Sequence, residues 1–321
     1  MPTERVATCL RKMHGSTVDV LYSPELCDAT YSGLETCSSV WLCAVCSAKI
    51  SERRRVELGA AVAAWKGEVV LATYTIRHRS ADDLGRSVDG LLKARRLARS
   101  GEWSQKFNSR YGVGGSVRAL EVTHGQNGWH PHIHELLFVA GGVDRQELLE
   151  ELRARWSAMV GKAGLRDVNE HGVDVQIADM TVADYVAKFG HTRTWGPEHE
   201  VAKAVSKRGR SGGRTPVDLL AAATFDGDHK AGRLWRHYAL TFKGRRQLVW
   251  SAGLRELLGL GAETSDVEIA EDVKPYSHLL ASLSAAQWRA ILRLDLRMET
   301  LQIASRGDTG ALWEFLGALG C

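Results

Sequence analysis

The feature that most restricts this chain is the string EVTHGQNGWHPHIH, which runs from Glu121 to His134. Side chains on a strand alternate between faces, so His132 and His134 point the same way with the apolar Ile133 behind them. The turn-rich stretch His124-Gly125-Gln126-Asn127-Gly128 predicts a hairpin joining strands over 116–123 and 132–139. A turn centred on Gln126-Asn127 sets Glu121 opposite His132; one centred on Asn127-Gly128 sets it opposite His134. Either register leaves Glu121 on the histidine face. Cross-strand Cβ atoms lie about 4.5–5.5 Å apart, close enough for two imidazoles and a carboxylate to share one cation. The rest of that face (Val117, Ala119, Leu136, Phe138) is apolar, so a glutamate there needs a partner, and a divalent cation supplies one. His130 has the same parity, but Pro131 disturbs the pleat beside it, which ranks it below Glu121.

Five cysteines, Cys9, Cys27, Cys37, Cys43 and Cys46, fall in the first 46 residues. Cys43 and Cys46 form a CxxC, a spacing at which a tight turn can aim two thiolates at one tetrahedral zinc ion. The remaining ligands are expected upstream, Cys37 and Cys27 first, with Cys9 or His14 as substitutes. A redox CxxC belongs near a βαβ unit and disulfides need an oxidising compartment, and neither context is visible here.

At 321 residues, with 44% hydrophobic and 25% charged residues, the chain is long enough for about two domains and has ordinary globular usage. No apolar run approaches the roughly 18 residues of a membrane span, and residues 1–15 lack a signal-peptide core. The expectation is a soluble cytoplasmic protein without a membrane partner. Charge is segregated: residues 186–250 hold thirteen Lys or Arg against five acids, and residues 262–321 hold five against nine. The basic part is the candidate phosphate-facing surface, with Lys203, Lys207, Arg208, Arg210 and Arg214 in a Gly- and Ser-containing loop. Arg53, Arg54 and Arg55 span nearly a full turn of a helix over 47–65, so at least one must leave its apolar stripe for solvent or phosphate; Arg53 and Arg54 join the phosphate-facing candidates.

Composition and periodicity further predict a strand over 68–77, helices over 82–100, 101–111 and 144–162, a short strand over 172–177 and a helix over 181–189 opened by a capping pattern, Thr181 with Asp184. Strands are expected within 233–250, a short helix over 251–260, and helices over 284–304, capped by Ser284 with Gln287, and 309–319. The fold class is α+β, with a central, largely antiparallel sheet flanked by helices. In the helix over 181–189, Tyr185 and Lys188 share a face at i and i+3. A nearby ammonium favours phenolate, and a tyrosine so assisted is a competent nucleophile.

Together these residues resemble the HUH endonuclease superfamily, and within it the rolling-circle plasmid replication initiators (Rep proteins). LATYTIR at 71–77, WHPHIH at 129–134 and YVAK at 185–188 stand in that family's order. CSSVWLCAVC at 37–46, WRHY at 235–238 and WSAGL at 250–254 resemble the subgroup found on actinobacterial plasmids, whose N-terminus binds zinc. The resemblance implies Mg²⁺ or Mn²⁺ on His132, His134 and Glu121, and structural Zn²⁺ on the cysteines. It implies Tyr185 as the nucleophile that nicks one strand at a plasmid double-strand origin, leaving a 5′-phosphotyrosyl bond and a free 3′-OH, with Lys188 on a phosphate oxygen or the phenolate. Single-stranded DNA and the host helicase and polymerase are the implied partners. Some relatives carry a glutamate one helical turn before the tyrosine; here that position is Thr181, with Asp179 and Asp184 nearby.

The expected organisation is a zinc-binding module with a basic helix at 1–66, an HUH catalytic domain at 67–260 and a helical region at 261–321. Three other readings compete. A conjugative relaxase usually has its tyrosine before the histidine motif, and an HUH transposase is commonly much shorter and lacks the cysteine cluster. A non-enzymatic zinc-dependent DNA-binding regulator, its histidines holding a second structural metal, comes from a different class.

Overall fold

The structure is a computed structural model that describes residues 4–178, 213–272 and 278–319. In chain order it forms α1 (Arg5–Thr8), β1 (Thr17–Ser23), β2 (Asp28–Ser32), α2 (Ala44–Ala64), β3 (Glu68–Thr75), α3 (Leu84–Ala98), α4 (Gly101–Tyr111), β4 (Gly115–Gly125), β5 (Gly128–Val139), α5 (Arg145–Lys162) and β6 (Val173–Ala178). Then follow α6 (Pro216–Phe225), α7 (His229–Phe242), β7 (Leu248–Trp250), α8 (Leu254–Leu257), α9 (Asp266–Glu271), β8 (His278–Ser284), α10 (Ala285–Arg293), α11 (Arg297–Ala304) and α12 (Thr309–Gly317). The chain divides into two compact units, Met1–Ile50 with Thr264–Cys321, and Ser51–Glu263.

The larger unit is built on a five-stranded sheet of order β6-β3-β5-β4-β7, antiparallel throughout. Its spine is the β4–β5 hairpin, where Gly125 pairs with Gly128 around Gln126 and Asn127. Gly128 has φ +86°, and a Cβ there would stand 2.8 Å from the Ser80 Cα, so this corner admits only glycine without strain. The hairpin is buried along most of its length, with Leu120, Ile133, Leu136, Leu137 and Phe138 fully enclosed. On the histidine face, Val117, Ala119, Leu136 and Phe138 join Val69 and Leu71 of β3 and Leu58 and Ala61 of α2 in one core. That packing covers one end of the face and leaves the histidine end to polar side chains. Behind the sheet, Trp156 of α5 packs on Tyr74 and its indole N–H donates to the Thr75 carbonyl at 2.9 Å. Asp83 and Asp144 cap α3 and α5 by accepting backbone N–H groups, which fixes where both helices start.

The smaller unit pairs β2, β1 and β8 in an antiparallel sheet. Val18, Val20, Ala281 and Leu283 of that sheet pack with Trp288, Ile291, Ala304, Leu312 and Leu316 of the terminal helices. The sequence suggests separate modules at the two ends, but β8 lies along β1, so both ends of the chain share one core. The α+β class with antiparallel sheets is as expected.

Two elements differ from the sequence reading. The strands expected within 233–250 are α7 plus the short β7: Asp228 caps the helix, and Ala231, Tyr238, Ala239 and Phe242 recur at helical spacing on its buried face. The helix expected over 284–304 opens at the Ser284/Gln287 capping box but breaks at Asp295, whose φ of +55° ends α10 before α11 begins.

Candidate metal centres

The hairpin register pairs Glu121 directly with His132, and Ala119 with His134. Nε2 of His132 lies 3.3 Å from Glu121 Oε2 and Nε2 of His134 lies 3.2 Å from the same oxygen. The other ring nitrogens are engaged elsewhere: His132 Nδ1 faces the His130 carbonyl at 3.2 Å, and His134 Nδ1 faces the Thr73 hydroxyl at 3.0 Å. Both Nε2 atoms are therefore turned toward one carboxylate. A cation held at about 2.0–2.2 Å by such ligands separates adjacent donor atoms by about 3 Å, so this trio has the dimensions of a metal site.

The electrostatics are unequal across the trio. Burial would raise the Glu121 carboxyl, but hydrogen bonds from His132 and His134 outweigh it and hold the group well below the usual carboxylate range. Burial lowers both imidazoles; at His132 the bond and charge of Glu121 overcome it and the net shift is upward, whereas at His134 the net shift is downward. His130 is pushed down to about 4 by burial, with the charges of His132 and His78 adding to it. Its Nδ1 lies 3.2 Å from His78 Nδ1, and it stands outside the trio whose ligand atoms converge.

The second cluster is made of thiols. Cys9 Sγ lies 3.6 Å from both Cys46 Sγ and Cys43 Sγ, and Cys37 Sγ lies 3.8 Å from Cys46 Sγ. Tetrahedral zinc with Zn–S bonds of about 2.3 Å requires S···S separations of about 3.8 Å, which these distances match. They are far too long for a disulfide, whose S–S bond is about 2.05 Å. Cys43 precedes the first residue of α2 and Cys46 lies in its first turn, where the helix dipole favours thiolate. Contacts with the Cys37, Cys46 and Cys9 thiols lower the Cys43 thiol further. The Cys37 backbone N–H donates to Cys9 Sγ at 3.3 Å, support of the kind that orients a ligating sulfur.

This corrects the expected fourth ligand. Cys27 sits at the tip of the β1–β2 hairpin with φ +45°, exposed, its thiol turned back on the Pro24 carbonyl at 3.5 Å. Cys9 takes its place because the hairpin ladder continues outward through Met13 and Leu34 and through the Leu10 N–H to Glu35 carbonyl bond, bringing Cys9 against Cys37.

Among the DNA-binding candidates, Arg54 is also corrected. It is buried, bonded to Glu57 at 3.0 Å and within 3.5 Å of Glu263, so its charge is spent inside the protein. Arg53 leaves the stripe, 55% exposed beside Glu57, as does Arg55, which pairs with Glu52 at the surface. Arg214 bridges to His124 next to the hairpin turn and pairs with Asp228 at 3.3 Å. Tyr185, Lys188, Lys203, Lys207, Arg208 and Arg210 lie outside the described residues, as do Asp179, Thr181 and Asp184.

The model of a family described as "Replication protein" matches residues 32–291, which contain the whole hairpin site. The chain belongs to that family. It is 30% identical to "Protein rep" of Streptomyces lividans over 352 aligned positions, covering 86% of this chain and 76% of that protein. It is also 34% identical to a "Neomycin resistance protein" of Streptomyces cyanogenus over 142 positions, covering 36% of this chain and 32% of that one. No solved structure matches. The family agrees with the resemblance to rolling-circle plasmid replication initiators, and a replication initiator acts on origin DNA. Among the described residues no helix is long and apolar enough to cross a membrane.

Sequence reasoning missed Thr73, Cys9 as the first-choice zinc ligand, and the Arg95–Glu135 pair behind the sheet. Glu135 is fully buried, 2.5 Å from Arg95 and 3.9 Å from Arg99. Strand alternation does signal it: Glu135 has the opposite parity to His134, so it is a charge on the face that α3 must cover.

Proposed function

We propose that this replication protein is a site-specific DNA nicking and joining enzyme that starts rolling-circle plasmid replication through Tyr185. The observation that carries the reading is the convergence of His132 Nε2 and His134 Nε2 on one Glu121 oxygen, at 3.3 and 3.2 Å, in a chain whose later YxxK supplies a phenol. Mg²⁺ or Mn²⁺ on Glu121, His132 and His134 would polarise the scissile phosphate as a Lewis acid. Two imidazoles with one carboxylate lean toward Mn²⁺ rather than the all-oxygen surroundings of Mg²⁺.

The Tyr185 hydroxyl attacks phosphorus in line. The phenol gives up its proton, a Tyr Oη–P bond forms, the P–O3′ bond breaks, and the leaving 3′ oxygen takes up a proton to end as a hydroxyl, so that protons balance. The phosphodiester energy is kept in the phosphotyrosyl bond for rejoining, and the 3′-OH primes synthesis; attack by water would forfeit both. Lys188 steadies the phenolate or a phosphate oxygen, and Arg53 with the basic residues at 203–214 supplies sequence-independent backbone contacts. The quartet Cys9, Cys37, Cys43 and Cys46 holds structural Zn²⁺ in the other unit, and host helicase and polymerase extend the new 3′ end.

Incubating the protein with single-stranded origin DNA and Mn²⁺ tests this. A covalent adduct that survives denaturation and disappears in Tyr185→Phe is expected. No adduct on any segment of its own plasmid's origin region would refute the enzyme and favour a zinc-dependent DNA-binding regulator.

A further inference from the structure

The histidines of the hairpin are oriented by two unlike partners. His132 Nδ1 meets a backbone carbonyl, which can only accept, so that nitrogen carries the hydrogen and Nε2 presents its lone pair. His134 Nδ1 meets the Thr73 hydroxyl at 3.0 Å, and a hydroxyl can donate or accept. The tautomer of His134 is therefore not fixed by this bond alone. With Nε2 engaged by a cation, the hydrogen must reside on Nδ1, and the Thr73 oxygen stands where it can accept it. The register explains the contact: Thr73 of β3 is the direct cross-strand neighbour of His134, on the same face of the sheet. The next residue of that face on β3, Thr75, faces His132 across the strands but spends its hydroxyl on the His171 carbonyl at 3.1 Å. Only one of the two threonines thus serves the trio, and it lies within the LATYTIR stretch, to which neither the metal ligands nor the nucleophile belong.

We propose that Thr73 is a positioning residue of the hairpin metal site, accepting Nδ1–H of His134 so that Nε2 offers its lone pair beside Glu121. This rests on the reading of Glu121, His132 and His134 as a cation site. Outer partners of ligating histidines commonly set metal affinity by about 10–100-fold. Thr73→Val keeps the β-branched shape that suits the strand and removes only the hydroxyl; Thr73→Ser keeps the hydroxyl.

The test is calorimetric titration of the full chain with Mn²⁺, together with long-range ¹H–¹⁵N spectra of ¹⁵N-histidine protein, metal-free and with Mg²⁺. The expected result is an affinity loss of about 10–100-fold in Thr73→Val and within about threefold of wild type in Thr73→Ser. The His134 nitrogen resonances should shift in the valine variant and stay in place in the serine variant. Unchanged affinity with unchanged His134 resonances overturns the proposal. So does an affinity loss with His134 unchanged, because it then comes from strand packing. If wild type binds neither cation, the metal reading fails on its own; the metal-free spectra still judge Thr73, a His134 change in the valine variant supporting the contact and its absence overturning it.

Discussion

If Cys9, Cys37, Cys43 and Cys46 hold zinc as proposed, replacing Cys9 by serine should release it, and replacing Cys27 by serine should not. The magnitude follows from the cluster's geometry. Four sulfurs linked by Sγ···Sγ separations of 3.6, 3.6 and 3.8 Å match a closed tetrahedral site, so each thiolate carries a comparable share of the metal's binding free energy. Structural zinc binds with roughly 10–16 kcal/mol, and a quarter of that is about 2.5–4 kcal/mol, or ~10²–10³ in affinity. Serine is close to isosteric but a poor zinc donor at neutral pH, so Cys9→Ser loses most of that share. Cys27 bonds only the Pro24 carbonyl at the hairpin tip and should lose nothing measurable. Competition with a chromophoric chelator reads both affinities. The β1–β8 unit should lose thermal stability with its zinc, because Cys9 and Cys46 share a core with Val40, Ile50 and Ile269. A Cys27→Ser protein that gives up zinc while Cys9→Ser retains it would refute the reasoning.

Three further outcomes follow from the larger unit. Glu135→Gln strips the partner from Arg95 and Arg99 in a buried site and should destabilise by about 3–5 kcal/mol in urea titration. Burial would raise the Glu135 carboxyl, but the two arginines outweigh it and hold it down, so its stabilisation is present above the ordinary glutamate range and is lost as pH falls through the depressed value. The gap between wild type and Glu135→Gln should therefore begin to narrow below about pH 4 and vanish only below the depressed value, and a gap independent of pH would contradict it. Gly128→Ala should cost about 1–3 kcal/mol from its φ of +86° and the nearby Ser80 backbone, whereas Gly125→Ala, whose nearest atom is 4.0 Å away, should lower the melting temperature less. Arg53→Ala should reduce the slope of log affinity for DNA against log salt by about 1 at unchanged stability, while Arg54→Ala should cost about 1–3 kcal/mol of stability with no separate effect on that slope.

The hairpin was readable because strand alternation is rigid: parity alone put Glu121, His132 and His134 on one face, and either turn register gave the same trio. Helix starts with strong caps, such as those at Asp144 and Ser284, are equally legible, although the break at Asp295 in the latter is not. What escaped was contact between distant segments. TVDVLYS and DATYS form a hairpin whose closing residues meet, which carries Cys27 to the tip and Cys9 to Cys37. Recognising that hairpin would have exchanged the two cysteines. Arg54 was misjudged because a basic run shows charge but not the Glu57 and Glu263 that absorb it. Thr73 carries no signal of its own, since its role exists only through the β3–β5 register.

Pulsed electron paramagnetic resonance on the Mn²⁺-loaded chain addresses the hairpin site most directly. Two imidazole nitrogens should couple to the ion in wild type, falling to one in His132→Ala and in His134→Ala, with Glu121→Ala weakening binding. Mn²⁺ that binds without histidine nitrogen coupling, or couplings that survive both alanine variants, would show that the ion sits elsewhere.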